Sequence, residues 1–312
     1  MLENGHRTGV TVVVPGEDNI FRNKRIASAY VHNGFGKTLG TVQLTELGTL
    51  ETPIALTNTL NVGLVHDALV GYTLDRCKKD GTQCVSVNPV VGECNDSTLN
   101  NIAERAVTAA HVDSAFQNAC ADFAEGDIGA GAGTLCYGFK GGIGSASRIV
   151  ELGGERFTIG VLVQSNFGRT ADFAPEGKRI GDDILKRTAQ KDFTPAQVDK
   201  GSIITVLATD LPVSSRQLFR ILRRAGIGLA QTGSFMSHGS GEVMLGFTTA
   251  NVLRGDNIFD TCRFIRDDHL NDVFRAAGEA TYEAVLSSML HAKAVTAPDD
   301  TVYRSLAEFY PF

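Results

Sequence analysis

The sequence predicts a layered α/β or α+β protein, and three observations carry that expectation. Strand-like stretches precede and follow pairs of helices, so sheets and helices must pack as layers. Residues 243–249 and 156–164 alternate apolar and polar positions at a period of two, which marks strands with one buried face. Residues 202–209 are almost wholly apolar, the pattern of a strand covered on both sides. With 312 residues, 43% of them hydrophobic, the chain has enough apolar material for one large core or two closely packed ones.

In chain order, residues 8–14 read as a strand ending at Pro15, and residues 41–47 as another, with Val42, Leu44 and Glu46 alternating against polar partners. Between them, Asn33-Gly34-Phe35-Gly36-Lys37-Thr38 imitates a phosphate-binding loop but fails the motif, because Val31 stands where its first glycine is required. Residues 54–60 form a buried strand leading into a helix whose Val62, Val65 and Leu69 share a face. His66 and Asp67 are ordinary polar groups of that helix. A polar loop covers residues 75–83. A longer helix is expected over residues 97–119, capped by Asp96 or Ser97, with Leu99, Ile102, Ala106, Val107 and Ala110 at helical spacing.

Glycine is densest over residues 125–147. The Gly-x-Gly-x-Gly run there lacks the preceding strand, following helix and later acidic residue of a dinucleotide site. It reads as a backbone-lined pocket wall from which Glu125 and Tyr137 project. The strand over 156–164 delivers Ser165-Asn166-Phe167-Gly168 to its end, where Asn166 makes a turn or offers its amide to an anion. Residues 169–200 are charged and carry prolines, an exposed insertion. Ser214 and Gln217 form a capping box for a helix running through Leu218, Ile221, Leu222 and Ala225. After the 243–249 strand, Asp267 and Asp268 cap a last long helix to about Ala294.

Charge excludes some functions. The 29 basic and 35 acidic residues give a formal net charge of −6 without long runs, which argues against a nucleic-acid groove. No stretch approaches the apolar length of a membrane span, and the polar start lacks the core of a signal peptide, so a cytoplasmic location is the expectation. The six cysteines contain no C-x-x-C pair, and no histidine stands nearby at ligand spacing, so no metal or cofactor is called for. Buried free thiols are expected, with Cys77 and Cys84 able to pair in an exported protein.

The candidate site is Gly239-Ser240-Gly241 at the entry to the 243–249 strand. Four Gly-Ser steps occur, and this one alone sits directly before an alternating strand, where a serine is held rigidly with no side chains beside it. Spacing alone fits an ordinary turn equally. A Ser-His-Asp triad does not assemble, because Gly-x-Ser-x-Gly is absent and His238 is too near in sequence, which leaves it a turn residue. Cutting the Gly239–Ser240 bond would give Ser240 an amine of its own, with an ordinary pKa of about 7.7 to 8.0, as general base.

A set of ordered blocks resembles the P1, or S58, peptidase family. They are Asn33-Gly34-Phe35-Gly36-Lys37, Glu51-Thr52-Pro53-Ile54, Leu56-Thr57-Asn58-Thr59, Asn88-Pro89-Val90-Val91-Gly92-Glu93-Cys94-Asn95-Asp96, Cys136-Tyr137-Gly138-Phe139-Lys140-Gly141-Gly142-Ile143-Gly144, Val163-Gln164-Ser165-Asn166-Phe167-Gly168, Ala208-Thr209-Asp210 and His238-Gly239-Ser240-Gly241-Glu242. That family includes L-aminopeptidase/D-Ala-esterase/amidases and β-peptidyl aminopeptidases. The resemblance implies a four-layer αββα sandwich, like that of N-terminal-nucleophile hydrolases but differently connected. It implies one self-processing hydrolase domain over residues 1–312, cut into an α chain (1–239) and a β chain (240–312), and assembly as a homo-oligomer, often a tetramer.

By the same resemblance Ser240 is the nucleophile and Gly239 supplies the cleaved bond. Thr281 and Glu283 match a hydroxyl-x-glutamate pair assisting Ser240, Tyr137 and Asn166 stabilise the oxyanion, and Glu125 receives the substrate ammonium. The substrate is a small peptide, amino-acid amide or ester. The residues alone leave other readings: Tyr137 as a core ring with a satisfied hydroxyl, and Glu283 as a solvent-side group on the face of Glu279. Thr281 and Glu283 lie about 200° apart around a helix, which only a wedged position reconciles with one site. The family has a further strand or so before Gly9, so a shortened chain, with a sheet edge or subunit contact missing, is a further expectation. A non-catalytic, uncleaved assembly protein of the same fold is the rival reading, and an acyltransferase relying on threonine is disfavoured by the serine at 240.

Overall fold

A computed structural model describes residues 5–188 and 193–310. The chain runs β1 (Thr11–Val13), β2 (Asn23–Gly34), α1 (Thr41–Glu46), β3 (Thr49–Leu50), β4 (Ile54–Asn58), α2 (Val62–Asp80), β5 (Val90–Cys94) and α3 (Ala109–Gln117). There follow β6 (Leu135–Cys136), β7 (Phe139–Lys140), β8 (Gly142–Leu152), β9 (Glu155–Asn166), α4 (Gly181–Thr188), β10 (Ser202–Thr209), α5 (Ser215–Leu222) and α6 (Ala225–Gln231). Then come β11 (Gly241–Arg254), α7 (Asn271–Leu290), β12 (Val295–Thr296) and β13 (Val302–Tyr303).

Two sheets form the centre. One has the order β1-β4-β5; the other has six strands in the order β3-β2-β11-β10-β9-β8. Strands β10 and β11 are parallel, joined by α5 and α6, while the remaining neighbours in the large sheet are antiparallel. Alternation sorts the side chains into layers. Val243, Leu245 and Phe247 meet Ile204 and Val206 with Ile54 and Leu56 in a core between the sheets. Met244, Ile203, Leu207 and Val163 point the other way, toward Leu218, Leu222, Ala277 and Val285 of α5 and α7. Val65 and Leu69 of α2 and Val112 of α3 close the far side against Ala55 and Val91. The result is helix, sheet, sheet, helix, as expected.

Close backbone approach fixes α7 on the large sheet. A side chain at Gly144 of β8 would come within 2.1 Å of the Ala284 carbonyl, and one at Gly228 of α6 within 2.3 Å of the Gly278 carbonyl. Gly71 is the opposite case, exposed on α2 with nothing near it. Gly71→Ala should therefore raise stability by about 0.5–1 kcal/mol, since alanine loses less backbone freedom on entering a helix. Chemical denaturation checks it.

Several elements differ from expectation. Residues 41–47 are helical, not extended, because Gly40 turns the chain at φ 84° and only Gln43 and Leu44 are then buried, leaving Val42 outside. The 97–119 helix is interrupted. The Asp96 backbone carbonyl accepts from the Leu99 and Asn100 N–H groups in a first turn, while its carboxylate takes the side-chain amides of Asn58 and Asn100. Arg105 then adopts a left-handed φ of 49°, and a new start follows at Thr108, whose capping box uses His111. The helix opened by Ser214 and Gln217 has its capping box, stops at Leu222 and restarts at Ala225. Two long strands, β2 and β8, lie where no strand was expected. The 169–200 stretch contains α4 among short turns, and residues 189–192 lie outside the described residues. Cys77, Cys94 and Cys136 are buried, Cys120 is exposed, and Cys77 and Cys84 are both free thiols. Among the described residues no helix is long and apolar enough to cross a membrane.

Candidate active site at the head of the central strand

Ser240 stands one residue before β11, which has β2 on one side and β10 on the other. The cross-strand row at this end of the sheet is Gly34, Gly241, Ser202 and Asn166. A turn brings the chain in: the Ser240 N–H donates to the Ser237 carbonyl at 2.9 Å, and the Gly241 N–H to the Gly201 carbonyl at 3.2 Å. Asn33, at the end of β2, holds the turn with its side-chain amide, donating to the Ser237 carbonyl at 2.9 Å and to that of Ser240. Asp199 clips the other side, accepting from the Gly168 N–H at 2.9 Å and from the Ser237 N–H at 3.5 Å. Just upstream, Met236 takes a positive φ of 53°, a strained conformation for a side chain of that size.

In this continuous chain Ser240 is 0% exposed. Its hydroxyl donates to Oε1 of Glu242, also fully buried, while Oε2 of Glu242 has no hydrogen-bond partner. Residues two apart on a strand share a face, which is why the pair meets. Burial pushes the Glu242 carboxyl up to about 7; the charge of Asp199 adds to the rise, and the hydroxyl of Ser240 and the nearby Asn33 amide oppose it. Asn33 is close enough to act on that carboxyl, although its directed bonds go to the carbonyls of the turn.

The other expected site residues are spread more widely. Asn166 lies in the same row, two strands from Gly241 and so about 10 Å away; its Oδ1 accepts from the Leu135 N–H and its Nδ2 donates to the Asn95 carbonyl, both at 2.9 Å. With both ends occupied it is not aimed at Ser240. It borders a cavity of about 430 Å³ that Gly168, Lys200, Gly201 and Tyr303 also line. Tyr137 does not project into a pocket. Its ring is buried against Phe167 and Phe173, and its hydroxyl is 2.8 Å from that of Thr232. Burial raises that phenol well above its ordinary value.

Glu125 is turned to another task. Its carboxylate takes the hydroxyls of Ser145 on β8 and Ser287 on α7 and lies 3.4 Å from Nδ1 of His291. Ser145 is three strands from β11, about 14 Å, by the register through Leu162 and Val206. Thr281 is buried and donates to the Ala277 carbonyl at 2.7 Å. Glu283 faces outward, where Arg148 bridges it and Glu279 at 2.7 and 3.4 Å. The helix geometry that separates Thr281 from Glu283 thus holds in the fold. Among the described residues, Asn33, Asp199 and Glu242 give the Ser240 turn side-chain hydrogen bonds.

A match to the model of peptidase family S58 extends over residues 1–303. The chain belongs to peptidase family S58. It is 38% identical over 312 residues to the β-peptidyl aminopeptidase BapA of Sphingosinicella microcystinivorans, spanning 95% of this chain and 77% of that protein. Among solved structures, the PH0078 protein of Pyrococcus horikoshii OT3 superposes with a TM-score of 0.90 at 42% identity, covering 97% of this chain and 83% of that one. The L-aminopeptidase D-Ala-esterase/amidase of Ochrobactrum anthropi, described as a prototype for the serine aminopeptidases and a new variant among the Ntn hydrolase fold, gives 0.84 at 32% identity over 97% and 89%. The expected family and enzyme class, a peptidase, therefore stand for the S58 chain. So does the layered fold, a relative of the Ntn sandwich.

Proposed function

We propose that the S58 chain is a self-processing serine aminopeptidase that releases the N-terminal residue of small peptides, amides or esters through an acyl-enzyme on Ser240. One observation carries the reading: the serine at the head of the central strand is fully buried while the chain before it is continuous. A nucleophile so placed cannot meet a substrate. Cutting the Gly239–Ser240 bond would free the 237–239 turn to move aside and leave Ser240 as the first residue of a C-terminal chain. Residues 1–239 and 240–312 would then be the two chains of the mature enzyme.

In that form the Ser240 amine takes the hydroxyl proton as Oγ attacks the carbonyl after the substrate's first residue. The proton passes to the departing amine, and water releases the acyl group. The 430 Å³ cavity lined by Gly201 and by Asn166 of that row offers space for a substrate. The roles of Tyr137, Asn166, Glu125, Thr281 and Glu283 remain parts of the family resemblance rather than of the geometry around Ser240. Homo-oligomer formation belongs to the same proposal, and the exposed Ile258, Phe259 and Phe264 offer apolar surface for it.

Intact mass and N-terminal sequencing of the purified protein test the reading. Two chains are expected, the smaller beginning Ser-Gly-Glu-Val, with hydrolysis of p-nitroanilides of β-alanine or of L-amino acids. A whole chain with no turnover on either substrate would favour the uncleaved assembly protein instead.

A further inference from the structure

We infer that Glu242 is the base that takes the proton of the Ser240 hydroxyl when the chain cuts itself, a task distinct from turnover of substrates. The inference rests on the self-processing reading. Before cleavage the nitrogen of Ser240 is an amide, whose lone pair is committed to the peptide bond. It cannot act as the base that a freed amine would become. Another acceptor is needed at that step, and the structure places one in contact: Ser240 Oγ donates to Oε1 of Glu242, with both residues fully buried.

Three features fit that task. Oε2 of Glu242 is buried without a hydrogen-bond partner, so the carboxyl is not consumed by structural bonds as those of Glu125 are. Its carboxyl is lifted to about 7 by burial, near the value at which a base accepts a proton at neutral pH and returns it. The turn that presents the scissile bond is tied on both sides, by Asn33 to the Ser237 and Ser240 carbonyls and by Asp199 to the Ser237 N–H, so the backbone flanking that bond is held in place.

The step balances. Ser240 Oγ forms a bond to the Gly239 carbonyl carbon while its proton goes to Glu242. The carbon–nitrogen bond then breaks, and Glu242 returns the proton to the Ser240 nitrogen, leaving an ester between Gly239 and Oγ. Water adds to that ester, its oxygen joins the Gly239 carbonyl carbon, one of its protons restores the hydroxyl, and the other passes to solvent as the new carboxyl ionises. The products are a Gly239 carboxylate and a free Ser240 amine, with Glu242 unchanged.

The test follows chains made by cell-free translation, measuring the uncut fraction with time on a denaturing gel. Glu242→Gln keeps the size and can still accept the Ser240 hydrogen bond but cannot take the proton. Cleavage should slow by about 100-fold or more, and Glu242→Asp, with its carboxylate drawn back, should fall between the two. Unaltered chain that cuts, beside Glu242→Gln cutting at the same rate, overturns this inference and leaves self-processing intact. Unaltered chain that never cuts overturns both. If Glu242→Gln does not give soluble protein, Glu242→Asp decides alone: a slowing of about tenfold or more supports the assignment, and an unchanged rate sinks it.

Discussion

Ser240→Ala should yield a single chain of about 33 kDa and no measurable aminopeptidase turnover. The expected loss is at least about four orders of magnitude, because removing a nucleophile leaves only binding and transition-state contacts to act. The substitution deletes one oxygen from a fully buried site and leaves Glu242 without its donor. Burial lifts its carboxyl to about 7, so the neutral form is accessible near neutral pH. The variant should therefore fold, and the loss can be attributed to chemistry. Two bands on a denaturing gel from this variant would place the cut, and the nucleophile, elsewhere.

Gly144→Ala should be strongly destabilising. The added carbon would stand 2.1 Å from the Ala284 carbonyl oxygen and 2.4 Å from the Ser288 nitrogen, both backbone atoms of α7. A flexible side chain would swing away, but a helix backbone packed along its length cannot. Either α7 lifts from β8 or the strand bends, and both disturb the shared core of Val163, Ala277 and Val285. Overpacking of this kind costs roughly 3 kcal/mol, which lowers the thermal midpoint by roughly 5–10 °C in a protein of this size. A thermal melt of the Ser240→Ala background, with and without the change, checks it on a whole chain. An unshifted midpoint would show that the helix yields easily.

Strands β9, β10 and β11 were legible because their side chains either alternate or are uniformly apolar, and the capping box of Ser214 and Gln217 was legible because it is local. Strand β2 was not. Its centre, Arg25 to Ala29, is buried on both faces by small and polar residues, so neither alternation nor an apolar run marks it. Strand β8 hides in glycine-rich sequence for a related reason: Gly142 and Gly144 are there to admit neighbouring backbone, and glycine carries no periodicity. At the site, Ser240 was found from its flanking glycines and the strand after it. Glu242 was overlooked, although a serine and a glutamate two apart at a strand's start share a face by the same rule that identified the strand. Glu125, Tyr137 and Glu283 show the opposite limit, since residue type and motif do not reveal that Ser287, Thr232 and Arg148 already hold them.

Strand β11 lies between β2 and β10, and the proposed cut falls just ahead of it, before Ser240. The smaller product would therefore supply an interior strand to a sheet whose other members come from the larger one. Such fragments part only by unzipping hydrogen-bond ladders on two edges, so they stay together in native buffer without a covalent link. Once denatured, they must find each other by diffusion, and renaturation should depend on concentration where that of an unsevered variant does not. Scission would make this enzyme a molecule that assembles once, as a single thread, and persists through the slowness of its undoing.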